Sequence, residues 1–114
     1  MLKVIFFRTE TGREPVREWL RGLDKVDKQR IGTDIEKVQF RWPVSTALVR
    51  KMETALWEVR SNLRQKRIAR VLFTVADDEM ALLHGFIKKT QKTPQKDLRL
   101  ARKRRNIWEN GREV

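Results

Sequence analysis

Two arginines fall where arginine is costly. Arg60 and Arg70 each interrupt an apolar alternation, in Leu56–Asn62 and Lys66–Val75. A guanidinium in such a position costs free energy unless it lies at an edge or serves a purpose. Its planar fork can grip a phosphate through two parallel hydrogen bonds and offset charge on a pentacoordinate phosphorane. Lys88 and Lys89 end a third apolar segment, and Lys92 follows in the next loop. Together these cations would make a basic, concave sheet face able to hold an RNA backbone. The same spacing also fits solvated strand residues, with Arg60 or Arg70 paired to Glu58. His84, the only histidine, titrates near neutrality and suits general acid or base chemistry. Between Leu83 and Gly85 it equally suits a partly buried structural position. Phe86 is either a platform for stacking an unpaired base or a core residue.

Other chemistries find little support. Ser45 and Ser61 are the only serines, neither near His84 in sequence nor in a Gly-x-Ser-x-Gly elbow. One histidine and no cysteine supply no zinc ligand set. Lack of cysteine also removes disulfides and thiol nucleophiles, and suits a reducing cytoplasm. Asp77-Asp78-Glu79 has donors for a cation but reads as a solvated turn. The five glycines form no phosphate-cradling loop, and no cofactor is expected. The 114 residues, 39% hydrophobic and 37% charged, fit one globular domain spanning 1–114. Net charge is +12 and uneven: residues 1–55 carry 12 basic and 8 acidic side chains, residues 56–114 carry 15 and 7. That excess points to a polyanionic partner, nucleic acid first and an acidic protein second. No apolar run approaches membrane-spanning length, and Leu2–Phe7 is too short for a signal peptide. A soluble cytoplasmic protein with no membrane partner is expected.

These residues need elements to position them. Leu2–Arg8 reads as a strand closed by Thr9–Gly12. From Glu14 the period changes: Val16, Trp19, Leu20 and Leu23 fall at helical spacing, with Pro15 at the start and Gly22 weakening the end. A second helix, Asp24–Phe40, aligns Ile31, Ile35, Val38 and Trp42 and stops at Pro43. Gly32 costs it about 1 kcal/mol relative to alanine and marks a kink or close packing. Residues 44–55 read as a connection. Three strands follow, at 56–62, 66–75 and 80–88, with short links that favour antiparallel hairpins. Strict alternation places Leu82, His84, Phe86 and Lys88 on one side of the third, opposite Leu83, Gly85, Ile87 and Lys89. Thr93 as N-cap and Pro94 at the first helical position begin a last helix that stops at Asn110-Gly111. Leu98, Ala101 and Trp108 form its apolar stripe, among Lys96, Arg99, Arg102, Lys103, Arg104 and Arg105. The order β-α-α-β-β-β-α predicts an α+β domain with helices against one face of a small, mainly antiparallel sheet.

Three segments carry a family resemblance: Leu56-Trp57-Glu58-Val59-Arg60, Arg67–Phe73, and Leu83-His84-Gly85-Phe86-Ile87-Lys88-Lys89-Thr90-Gln91-Lys92-Thr93-Pro94. They resemble the HigB-like, phage-derived branch of the RelE/ParE toxin superfamily, over nearly the whole chain. The resemblance implies a compact RelE-like fold with a helical hairpin on one face of the sheet and an active site on the open face. It also implies a type II toxin that cleaves mRNA on the translating ribosome, without metal, by attack of a ribose 2′-OH on the adjacent phosphate. By position, Arg70 corresponds to the superfamily's third-strand arginine and would stabilise charge on the scissile phosphate. Arg60, Lys88, Lys89 and His84 complete the implied catalytic set. Phe86 and Lys92, with Lys66, Arg67, Arg99 and Lys103, are the implied RNA contacts. The implied partners are mRNA on the ribosome and a cognate antitoxin with an acidic surface, of helix-turn-helix type. The chain departs from the pattern in three places: it has no tyrosine, Glu58 stands where several relatives carry lysine, and Glu53-Thr54-Ala55 replaces a glycine-containing turn. The general base is left open. Two other functions suit the same sequence, a ParE-like inhibitor of DNA gyrase and a non-catalytic nucleic-acid-binding module.

Overall fold

Among the described residues, eight strands and α-helices follow one another: β1 (Lys3–Phe6), α1 (Pro15–Arg21), α2 (Lys25–Arg41), β2 (Val49–Glu53), β3 (Leu56–Asn62), β4 (Ile68–Ala76), β5 (Glu79–Lys88) and α3 (Gln95–Gly111). They are seen in a computed structural model that describes residues 1–43 and 47–112. Among the described residues the strands form one sheet in the order β1-β5-β4-β3-β2, in which only the β1–β5 pair is parallel. The α+β class and the N-terminal helical hairpin agree with the sequence reading. The strand count does not, because β2 lies in the stretch read as a connection. Two local features hide it. Ala55, at φ 56°, turns β2 into β3 in the left-handed region usually given to glycine. A register shift between Lys51 and Glu53 also breaks the alternation of β2. The start of that stretch, Val44–Thr46, lies outside the described residues.

The helical hairpin seals one face of the sheet. Val16, Ile31, Ile35 and Val38 pack on Val59, Ala69, Val71, Phe73, Met80 and Leu82. Trp42, Trp57 and Phe73 meet there with ring centroids 5.0 to 6.0 Å apart. Asp24 caps α2, accepting from the Asp27 amide at 2.9 Å. Gly32 lies on the outer side of α2, where an added Cβ would meet nothing within 4 Å, so close packing does not account for it.

The third helix corrects the expectation of helices on one face only. Leu98, Ala101 and Trp108 of α3 cover Leu56, Leu72, Ala81, Leu83 and Phe7 on the opposite face. Both faces of β3 and β4 carry apolar side chains, so both need a cover. Much of the charge on α3 tethers it there. Arg102 and Arg105 pair with Glu53, and Arg112 pairs with Asp77 and Glu79. Arg104 donates to the Leu83 carbonyl at 2.9 Å.

That carbonyl belongs to a β-bulge. Leu82 is opposite Phe73, but the next pair is His84 with Leu72, so Leu83 is the extra residue. The strict alternation expected for β5 therefore fails. Leu82 faces the helical hairpin, whereas Leu83 and His84 both serve the α3 face. Pro94, not Thr93, caps α3; the Thr93 hydroxyl is engaged with Glu58 instead. Among the described residues no helix is long and apolar enough to cross a membrane.

Candidate active site

Directly opposed residues on neighbouring strands share a face, so the register of β2 to β5 draws up the site in rows. Arg50, Glu58, Leu72 and His84 form one row. Arg60, Arg70 and Phe86 form the next, and Asn62, Ile68 and Lys88 the third. The bulge at Leu83 is what brings His84 and Phe86 into this register. Five residues singled out in the sequence, Arg60, Arg70, His84, Phe86 and Lys88, thus gather on one patch of the α3 face.

The patch is not open. After β5 the chain crosses the sheet before entering α3, and its backbone takes up the arginine donors. Arg70 Nη2 donates to the Thr90 carbonyl and Arg60 Nη2 to the Gln91 carbonyl. Arg60 Nε also donates to Glu58 Oε1 at 2.6 Å, so the ion pair allowed by the sequence is present. Glu58 is wholly buried and accepts from the Thr93 hydroxyl with its other oxygen. This carboxylate therefore orients Arg60 and anchors the crossing segment together.

Arg70 differs from its neighbour. It is 0% exposed, yet Nε and Nη1 have no hydrogen-bond partner. Its guanidinium carbon lies 5.6 Å from the Phe86 ring centroid. Burial lowers its pKa, and the nearby Arg60 charge lowers it further. Buried donors left unpaired are costly, and an anionic ligand is one group that would satisfy them.

His84 Nε2 lies 2.7 Å from Asp97 Oδ1, and its ring stacks on Phe86 with centroids 5.5 Å apart. Burial pushes the imidazole pKa down, against the upward pull of Asp97, and Arg104 adds to the depression. A neutral ring donates from Nε2, because the carboxylate only accepts, and keeps Nδ1 as a free base. Lys88 Nζ stands 4.0 Å from the other oxygen of Asp97 and 5.9 Å from the Phe86 centroid.

The remaining candidates lie farther out. Lys89 and Lys92 are exposed at the start and middle of the crossing segment. Lys66 is exposed on the 3-10 turn Arg64–Lys66, and Arg99 and Lys103 on the outer side of α3. Arg67 is committed elsewhere, in a two-bond pair with Asp27 at 2.7 and 3.0 Å that ties the β3–β4 loop to α2. Arg50, Gln91 and Asp97 escaped the sequence reading. Arg50 lay in the unrecognised β2, and Asp97 looked like an ordinary acid in the first turn of a helix. Among the described residues no three carboxylate or imidazole groups converge as a metal site would require.

No curated protein matches this chain. A family model described as Phage derived protein Gp49-like (DUF891) matches residues 18–106. That span includes all three cross-strand rows, the crossing segment and most of α3. The chain belongs to this Gp49-like family of phage-derived proteins, within the RelE/toxin-like group.

Proposed function

We propose that the protein is the toxin of a type II toxin–antitoxin module, of the HigB-like kind, and cleaves mRNA on the translating ribosome. One observation carries the reading. Two arginines stand directly opposite each other on β3 and β4, and the buried one holds two donors without partners. A phosphodiester would satisfy those donors, since charge-assisted hydrogen bonds from a guanidinium to phosphate oxygens are stronger than bonds to carbonyls. The phosphate would compete with the Thr90 and Gln91 carbonyls for the donors they now accept from.

In the proposed reaction the ribose 2′-oxygen bonds to the adjacent phosphorus and the P–O5′ bond breaks, leaving a cyclic phosphate and a 5′-hydroxyl. His84 Nδ1 takes the 2′-OH proton, and Asp97 stabilises the resulting imidazolium through Nε2. Arg70 and Arg60 hold the non-bridging oxygens as charge builds. Lys88, beside Asp97 and Phe86, or Lys89 after it would protonate the leaving oxygen. An acidic antitoxin would be the natural counterpart of a chain with net charge +12.

The test is to induce the protein in a bacterium and map new mRNA 5′ ends. New ends should fall inside translated frames and vanish in Arg70→Ala. Ends in untranslated RNA would remove ribosome dependence. Growth arrest with intact mRNA would sink the nuclease reading, and added supercoiling defects would favour gyrase as the target.

A further inference from the structure

Beside the closed arginine pair the surface opens into a groove of about 390 Å³. One wall is the outer edge of the sheet, at Arg50, Lys51 and Met52 of β2. The other is formed by Lys92 of the crossing segment and Gln95 of α3, with Leu98 beneath them. Arg50 and Lys92 are exposed, and among the described residues no carboxylate lines the groove. The contrast with the neighbouring helix is informative: Arg102 and Arg105 are paired to Glu53 a few residues along the same edge. Charges on an edge strand also discourage edge-to-edge association. That purpose would not call for an apolar floor, which Met52 and Leu98 supply between the cations, or for the amide of Gln95.

Cations on both walls, an apolar floor and amide groups match the three parts of a nucleotide: phosphate, base face and base edge. The volume lies at the small end of ligand sites, which run from roughly 300 to 1,000 Å³. It suits one nucleotide better than the long apolar face of a partner helix. Two features join the groove to the arginine pair. Gln91 lines it while its carbonyl and side-chain oxygens accept from Arg60. Arg50 stands in the cross-strand row of Glu58 and His84, close enough for its charge to act on Arg70.

Resting on the RNA reading of the arginine site for the choice of ligand, we propose that this groove binds one nucleotide of a single-stranded RNA, next to the scissile phosphate. The β2 edge is then part of the substrate track, and a strand engaged there has Gln91 as its first contact on the way to Arg60.

The test uses the whole chain and a fluorescein-labelled 2′-O-methyl octaribonucleotide, which cannot be cut by its own 2′-oxygen. Affinity is read by anisotropy across a salt series. The double variant Arg50→Glu/Lys92→Glu, one cation from each wall, is compared with Lys25→Glu/Lys28→Glu, which makes the same charge change at exposed positions of α2; thermal melts check that both fold. The groove variant should bind at least about tenfold more weakly, and its slope of log K against log salt should shrink by about 1.4, two single-strand phosphate contacts. The α2 variant should change affinity less than about twofold. Equal losses in both variants would overturn the proposal, as would an octaglutamate peptide that competes with the RNA at equal concentration. Mapping of mRNA ends separates this from the reading it rests on. Weakened RNA binding with mRNA intact in cells keeps the groove and fails the nuclease. Unchanged affinity with mRNA still cut keeps the nuclease and fails the groove.

Discussion

The same strands build two unlike surfaces on opposite sides of one sheet. Toward α1 and α2, Val59, Ala69, Val71, Phe73, Met80 and Leu82 are all apolar and no more than 1% exposed. Toward α3, Leu56 and Leu72 are just as deeply buried, but so are Glu58, Arg70 and Thr74, each at 0%. Depth of burial therefore does not separate the faces. What does is whether polar atoms are satisfied. Among the described residues the buried side-chain atoms without a hydrogen-bond partner belong to Arg70, Thr74 and Asp97, all on the α3 side. The hairpin face is shaped for stability. The α3 face retains unsatisfied polar groups, as sites poised for a ligand do.

Arg70→Met breaks that comparison most sharply. Methionine fills much of the arginine volume without a charge. Under the nuclease reading, losing this phosphate grip should cut cleavage by about 10³-fold, equivalent to roughly 4 kcal/mol of transition-state stabilisation. The fold should survive, because an uncompensated buried charge contributes little and its replacement by an apolar side chain is often neutral or stabilising. Denaturant unfolding should therefore show equal or higher stability beside the lost activity. A variant that unfolds instead would make Arg70 structural and the two faces alike in purpose.

Gly85→Ala applies the same question to the other face. A Cβ at Gly85 would lie 2.4 Å from two ring carbons of Trp19 on α1, so the hairpin or β5 must shift. Overpacking of this kind costs about 1–3 kcal/mol, and the upper end is expected because the ring is wedged between α1 and the sheet. Replacing Trp19 with leucine in the same chain should recover part of the loss, measured as a coupling in a double-mutant cycle. Full additivity of the two changes would show that the ring is not what Gly85 accommodates.

The hairpin face was legible in the sequence because its signal is periodic: Val16, Trp19 and Leu20, then Ile31, Ile35 and Val38, repeat as a helix requires. The α3 face was legible only in its cost. Arg60 and Arg70 could be recognised as misplaced, but the carbonyls that hold them could not, since a backbone oxygen carries no residue identity. β2 was lost because its turn uses Ala55 in a conformation that normally advertises itself with glycine. The bulge at Leu83 was lost because two consecutive residues, one apolar and one aromatic, suit either side of a strand. Asp97 meets His84 only because α3 crosses to the second face, a tertiary choice that local pattern does not record.

The smallest expected effect is a titration confined to the α3 face. Burial holds the His84 pKa below its ordinary value of 6.5 despite Asp97. As pH falls from that value toward the folded-state pKa, the unfolded chain takes a proton that the folded chain refuses. Stability should therefore be fully present above about pH 6.5, decline as pH falls through this window, and level off below the folded-state pKa. Glu18, Asp27 and Glu53, held below their ordinary values by hydrogen bonds from Arg13, Arg67 and Arg102, contribute stability that is lost only in the more acidic range under their ordinary 4.5 or 3.8. The upper slope is thus assigned to His84, which is faced by Asp97, Arg104 and Phe86. His84→Gln should flatten it in denaturant unfolding run across pH, and Asp97→Asn should steepen it by removing the group that favours the imidazolium. A slope of opposite sign would mean that Asp97 outweighs burial, and His84 would then enter the proposed reaction as an acid, giving a proton to the leaving oxygen rather than taking one from the 2′-OH.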